Sequence, residues 1–246
     1  MILVKTFYAF NDLRNYSYLI YDDQTAHAWV IDPYEANPMI EYIKKKSLRL
    51  KGILNTHQHH DHTRGNAPLD AAFGCGIRKL RSSETVSLSQ DHTLKTLDTP
   101  GHTMDHQVFI WQTQERPLAL FSGDTLFNSG VGNCRNGGDV SYLYQTTMDL
   151  IGGLPPETLL YPGHDYRVRN LEFAVHVEPE NPSVKSSLLV LAREKTHELP
   201  ALTLGDEEKV NPFLRLASGE LRANLKMQGS DDRDVFYKLR SMRDNW

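Results

Sequence analysis

Thr56-His57-Gln58-His59-His60-Asp61-His62 decides how this chain is read. Four side chains of metal-ligand type, His57, His59, Asp61 and His62, fall directly after the apolar, β-branched run Gly52-Ile53-Leu54-Asn55-Thr56. The run has the pattern of a buried strand, and the motif is the loop that leaves its end. His57 and His59 lie two apart, so on extended backbone they point the same way. Asp61 and His62 follow where the chain turns and aim at a neighbouring point. Imidazole nitrogen with carboxylate oxygen suits zinc, iron or manganese better than calcium or magnesium.

Upstream of this loop the pattern is strands, then a helix, then the strand that delivers it. Strands are expected over Ile2–Phe10, Ser17–Tyr21 and His27–Ile31, with Asp22-Asp23-Gln24 as a turn and Asp32-Pro33 as the end of the third. An amphipathic helix runs from Pro38 to Lys46 with Met39, Ile40 and Ile43 on one face, and a strand from Leu48 to Thr56. Downstream, Thr63-Arg64-Gly65-Asn66 enters a helix, Gly74–Ile77 reads as a short strand, and residues 81–99 read as sheet with His92 in a turn.

Three more polar clusters sit at strand ends. Gly101-His102 precedes the strand Val108–Trp111; Gly123-Asp124 ends Leu118–Ser122; Gly163-His164-Asp165-Tyr166 follows Leu159–Tyr161. His106 competes with His102 as a ligand, and support of the loop by hydrogen bonding is its preferred role. A helix is expected over Ser141–Ile151. Beyond Tyr166 the pattern turns helical, over Asn170–Val177 and Pro182–Glu198. A turn-rich connection (Pro200–Phe213) and a terminal helix (Asp232–Arg243) follow. Such a small helical part buries little alone and must lean on the rest.

Seven candidate ligands exceed the three or four that one zinc needs. They divide into His57, His59 and His102 for one metal and Asp61, His62 and His164 for another, with Asp124 as the bridge. Two divalent metals about 3.5–4 Å apart can share a water and lower its pKa enough to give hydroxide at neutral pH. No Ser-His-Asp or Cys-His nucleophile is evident. Cys134 reads as a loop thiol rather than a nucleophile.

The whole chain has 246 residues, with a net charge of −4 and both signs mixed, so no basic face suggests nucleic acid. Its two cysteines make no disulfide scaffold and suit free thiols in a reducing compartment. No run reaches transmembrane length and the N-terminal apolar run is too short for a signal peptide, so a cytoplasmic protein without a membrane partner is expected.

The motifs together resemble the metallo-β-lactamase superfamily, whose T-H-x-H-x-D-H signature Thr56–His62 fits. Within it the chain is similar to the glyoxalase II (hydroxyacylglutathione hydrolase) family, through Gly123-Asp124-Thr125-Leu126-Phe127, Gly163-His164-Asp165-Tyr166, Asn170-Leu171-Glu172-Phe173-Ala174, His176-Val177-Glu178-Pro179 and Asn211-Pro212-Phe213-Leu214-Arg215. The resemblance implies an α/β (α+β) fold: an αββα metallo-β-lactamase sandwich over residues 1–170 that carries the metals, with a small all-helical substrate-binding domain over 171–246. It implies two divalent metal ions, zinc foremost with iron or manganese as alternatives. The implied substrate is a small-molecule glutathione thioester, attacked by a metal-bridging hydroxide, with Asp61 and Asp124 as catalytic carboxylates.

Arg240 and Arg243 match two basic residues of the family that meet the glycine carboxylate, and Tyr166 matches a tyrosine contacting the thiol part. The chain departs from the pattern at Asn133 and Arg135, where the family has a lysine and a tyrosine, and at Asp105 and Arg64, where it has glycines. Arg135 is the candidate replacement cation, and Asp105 is expected to add negative charge near the metals. The alternatives are a mononuclear-iron persulfide dioxygenase, which usually lacks the helical domain, and a metallo-hydrolase for another thioester or a lactone.

Overall fold

The computed structural model describes residues 1–114 and 116–246. The chain divides into two compact units. The first comprises Met1–Asp98, Asp105–Gly123 and Tyr161–His164; the second comprises Thr99–Met104, Asp124–Leu160 and Asp165–Trp246.

The first unit is built on two sheets. One has the order β1-β2-β3-β4, from Ile2–Tyr8 (β1), Tyr16–Asp22 (β2), His27–Ile31 (β3) and Arg49–Leu54 (β4). β1, β2 and β3 form an antiparallel meander, and β3 and β4 run parallel with Ile31 opposite Leu54. Parallel neighbours need a crossover, which helix α1 (Ala36–Lys45) supplies. The other sheet contains Thr85–Ser87 (β5), His92–Asp98 (β6), Gln107–Thr113 (β7) and Pro117–Gly123 (β8), with Leu159–Pro162 as the strand beyond β8.

Side chains alternate across a strand, and β2 shows what that does here, because all of it is buried. Tyr16, Tyr18 and Ile20 join Trp29, Ile31 and Leu54 against Leu94, Phe109 and Phe121, so the two sheets pack face to face. Leu19 and Tyr21 point the other way, with Val30, onto Met39 and Ile43 of α1 and onto Leu69 of α3 (Asn66–Phe73). Met39 and Ile43 are fully buried, which is worth about 1.5–3 kcal/mol each. Because β3 and β4 are parallel, their C-terminal ends lie at one edge, and the chain after Ile31 runs beside the chain after Leu54.

The second unit carries α4 (Val140–Gly153), whose N-cap Asp139 accepts from the Ser141 and Tyr142 N–H groups. It also holds α5 (Arg167–Val177), α6 (Pro182–Leu191), α7 (Leu204–Val210), α8 (Gly219–Leu225) and α9 (Asp232–Asp244). Leu171, Ala174, Val184 and Val210 give α5, α6 and α7 a shared core. Phe236 of α9 stands edge-on to Phe213 and Tyr144. Among the described residues no helix is long and apolar enough to cross a membrane.

Several expectations need correction. The helix that Thr63-Arg64-Gly65-Asn66 enters is α3, from Asn66, but a short α2 (His60–Thr63) that was not expected precedes it inside the motif. Gly74 and Gly76 both take positive φ, so Gly74–Ile77 gives only a bridge from Ile77 to Ile53 instead of a strand. His92 is not in a turn: it opens β6 and accepts the Trp111 indole N–H at 3.0 Å. The helix from Pro182 ends at Leu191, with a separate 3₁₀ turn at Thr196–Glu198. Pro200–Phe213 contains α7, started by a reciprocal capping box between Thr203 and Asp206.

Candidate metal centre

In the first unit the histidine motif, the loop before β2 and the end of the strand Leu159–Pro162 meet. His62 Nε2 lies 3.2 Å from His164 Nε2, and Asp61 Oδ2 lies 3.5 Å from each. Ligand atoms about 2.0–2.2 Å from a tetrahedral ion sit roughly 3.3–3.6 Å apart, so the triangle has the size of a metal site. Protonation supports that reading. His62 Nδ1 donates to Asp32 Oδ2 at 2.9 Å and His164 Nδ1 donates to the Leu13 carbonyl at 2.8 Å. With Nδ1 of each ring engaged, Nε2 is the atom left to meet a metal. Two imidazole nitrogens and a carboxylate oxygen converging on one point form a donor set that suits a divalent cation.

The other pair of the motif is prepared in the same way. His57 Nε2 faces His59 Nδ1 at 2.9 Å. His57 Nδ1 lies 3.0 Å from Thr56 Oγ1, whose own hydrogen goes to Asp32 Oδ2 at 2.6 Å. The His106 ring is buried and stacks on His57, centroids 5.0 Å apart. Gly123 has φ +49°, and a Cβ there would stand 2.5 Å from Thr56 Oγ1 and 2.8 Å from His106 Nε2. The glycine before Asp124 is thus required both by its backbone and by the histidine loop pressed against it.

In the second unit His102 Nε2 lies 3.4 Å from Asp124 Oδ2, and its Nδ1 donates to the Asn133 carbonyl at 2.6 Å. His102 and Asp124 are buried. Gly132 permits this approach, since a Cβ on it would overlap the Asp124 carbonyl oxygen.

The substrate-side candidates all lie in the second unit. Asn133 acts through its backbone on His102, while its side chain accepts the Arg135 N–H at 3.0 Å. Arg135 is exposed and donates to the Asp244 carbonyl. Arg240 is buried: it donates to the Val131 and Gly132 carbonyls at 2.8 and 3.0 Å and pairs with Asp244 at 2.8 Å. Arg243 is half-buried and donates to Asn170 Oδ1 at 3.1 Å. Burial, then Arg240 and Arg169, bring its guanidinium down to about 10, which leaves it charged at neutral pH. Tyr166 precedes α5 and meets the Phe127 ring edge-on.

Two of the departures from the family pattern, Asp105 and Arg64, are exposed. Arg64 stacks over Tyr34 and hydrogen-bonds its hydroxyl at 2.8 Å. Both cysteines are free, and burial pushes the Cys134 thiol up to about 11, the reverse of an activated nucleophile.

Two residues were missed by sequence reasoning. In the sequence Asp32 reads only as a strand terminator, yet its carboxylate serves Thr56 and His62. The signal lay in the parallel pairing, which sets the residue after β3 beside the residues after β4. Asn15, whose Nδ2 donates to Asp61 Oδ2 at 2.9 Å, carried no signal of comparable strength.

The chain is similar to known proteins over its full length. A model of the hydroxyacylglutathione hydrolase C-terminus matches residues 165–246, and one of the metallo-beta-lactamase superfamily matches residues 11–88. The chain is 38% identical to a hydroxyacylglutathione hydrolase of Polaromonas sp. over 100% of both chains. It is 33% identical to the cytoplasmic hydroxyacylglutathione hydrolase of Arabidopsis thaliana, over 94% of this chain and 95% of that one. Its fold is similar to that of a metallo-beta-lactamase from Staphylococcus aureus, with a TM-score of 0.66 at 20% identity, covering 98% of this chain and 72% of that one.

Proposed function

Since the chain belongs to the hydroxyacylglutathione hydrolase family of the metallo-beta-lactamase superfamily, we propose that it hydrolyses a glutathione thioester. The substrate would be an S-2-hydroxyacylglutathione such as S-lactoylglutathione, and the products glutathione and a hydroxy acid. The observation that carries this reading is the convergence of Asp61 Oδ2 with the Nε2 atoms of His62 and His164, whose Nδ1 hydrogens are both engaged.

Asp61, His62 and His164 would hold one divalent metal and His57, His59 and His102 a second, with Asp124 shared. The ligand types suit zinc first, with iron or manganese as alternatives. Such metals would supply water activation and carbonyl polarisation. The chain's own residues do the rest. Asp61 orients the attacking water, and His106 and Thr56 hold His57 in place. The leaving thiol is acidic, with a pKa of about 8.5, so no strong general acid is required to release it.

Residues 1–170 would form the catalytic domain and 171–246 the substrate-binding one, in line with the family model that begins at residue 165. Glutathione carries two carboxylates. Arg243 and Arg135 offer charge to them, Arg240 stands behind as the anchor of the loop that presents Asn133, and Tyr166 meets the thiol-bearing part. The chain would act in the cytoplasm, as the plant relative's name indicates for that protein.

The test is hydrolysis of S-lactoylglutathione with metal content measured on the same sample. Turnover with about two metals per chain, lost on chelation and in His59→Ala, supports the reading. A full metal complement without turnover defeats the thioester substrate, and oxygen uptake on glutathione persulfide is then the next measurement.

A further inference from the structure

Asn15 is 1% exposed, yet it sits in the connection between β1 and β2, where a side chain is ordinarily solvated. Its amide is fully used. Nδ2 donates to Asp61 Oδ2 at 2.9 Å and approaches the Asp61 carbonyl at 3.3 Å; Oδ1 accepts from Asn11 Nδ2 at 2.8 Å. The Asn15 N–H in turn donates to Asn11 Oδ1 at 3.1 Å, so the two asparagines clamp each other. The backbone of Asn15 bridges to His164, and the Leu13 carbonyl in the same loop takes the His164 Nδ1 hydrogen. One short loop therefore holds both groups that converge with His62, namely Asp61 and His164.

The oxygen that Asn15 grips is the one that faces both histidines. An amide N–H on Oδ2 fixes the carboxylate rotamer and occupies one of its lone pairs, leaving the other aimed between His62 Nε2 and His164 Nε2. A neutral donor does this without adding charge. A hydrogen bond whose only purpose was to close the loop would not need this partner, since Asn11 already closes it.

We propose that Asn15, clamped by Asn11, is the positioning residue for Asp61, and that this loop sets the metal affinity of the Asp61–His62–His164 site independently of the other. The inference rests on the binuclear reading above. Partners that orient ligands in this way typically control about 10–100-fold in affinity.

The test is titration of the metal-free protein with Zn²⁺ against a chromophoric chelator, for the native chain, Asn15→Ala and Asn11→Ala, with circular dichroism confirming the fold. The native chain is expected to take up two tight equivalents. Asn15→Ala is expected to keep one and weaken the other by about 10–100-fold, and Asn11→Ala to weaken the same equivalent by less. Two tight equivalents in Asn15→Ala overturn the proposal, as does equal weakening of both, which is the mark of general loosening. Where Asn15→Ala fails to fold, Asn11→Ala decides on the same terms: selective weakening supports the proposal, and no change or equal weakening overturns it. A native chain with fewer than two equivalents instead defeats the binuclear reading, and this inference with it.

Discussion

His62 Nδ1 donates to Asp32 Oδ2 at 2.9 Å, across thirty positions of sequence. The same carboxylate takes the Thr56 hydroxyl at 2.6 Å and the Thr56 N–H at 2.7 Å, and Thr56 Oγ1 is the neighbour of His57 Nδ1. One acid thus sets the tautomers of His57 and His62, the histidines assigned to different metals. Asp32→Ala is expected to cut metal affinity or turnover by about 10–100-fold, and to cost about 1–3 kcal/mol of stability through the stranded Thr56 N–H. Chelator competition and urea unfolding check the two parts. Native metal binding in the variant would refute the tautomer argument.

Arg240 and Arg243 should separate on mutation. Arg240→Ala leaves the Val131 and Gly132 carbonyls without their donor and breaks the pair with Asp244. A loss of about 3–5 kcal/mol is expected, the range for breaking a buried ion pair. Arg243→Ala removes a half-buried cation bonded to Asn170, and is expected to raise KM for the thioester several-fold with little change in Tm. Equal thermal losses in both variants would count against this division.

Glu207 gives the fold a pH dependence. The side chain is fully buried, and its carboxylate accepts from Asn128 Nδ2 at 2.8 Å and from the Ser129 N–H. Burial outweighs those bonds and raises its pKa from 4.5 to about 7. Between those values the unfolded chain has released a proton that the native chain still holds. Stability is therefore expected to fall as pH rises from about 4.5 to about 7, by about 3 kcal/mol for the full shift, and to level off above. Urea midpoints across that window, with Glu207→Gln as the variant that loses this slope, provide the check.

Cys134 should be slow to react. With its thiol at about 11 through burial, the thiolate at pH 8 is roughly a hundred times scarcer than for an ordinary cysteine. Alkylation followed by mass spectrometry is expected to label a small unfolded thiol peptide far faster than Cys134 in the native protein. Equal rates would reopen a nucleophilic role.

The ligand types of both proposed sites could be read from local sequence. His57, His59, Asp61 and His62 sit within one loop, and His102, Asp124 and His164 each stand beside a glycine at a strand end. Helix α7 is equally local, since Thr203 and Asp206 spell a capping box, but the surrounding glycine and prolines give the stretch the composition of turns. The amphipathic α1 and the terminal α9 were legible because their apolar positions follow the helical period.

What sequence alone determined, then, is which atoms can bind metal, together with the strand and helix periods that the backbone follows. Tertiary structure decided which nitrogen of each ring is tied to a remote partner, which oxygen of Asp61 is presented and which arginine is already engaged. Those facts depend on hydrogen bonds between residues remote in the chain: Asp32 with His62, Leu13 with His164, Asn15 with Asp61, Arg240 with Val131. No local period or propensity encodes such pairs. The Asp32 contact follows from the register of parallel β3 and β4, and the others from packing within each unit.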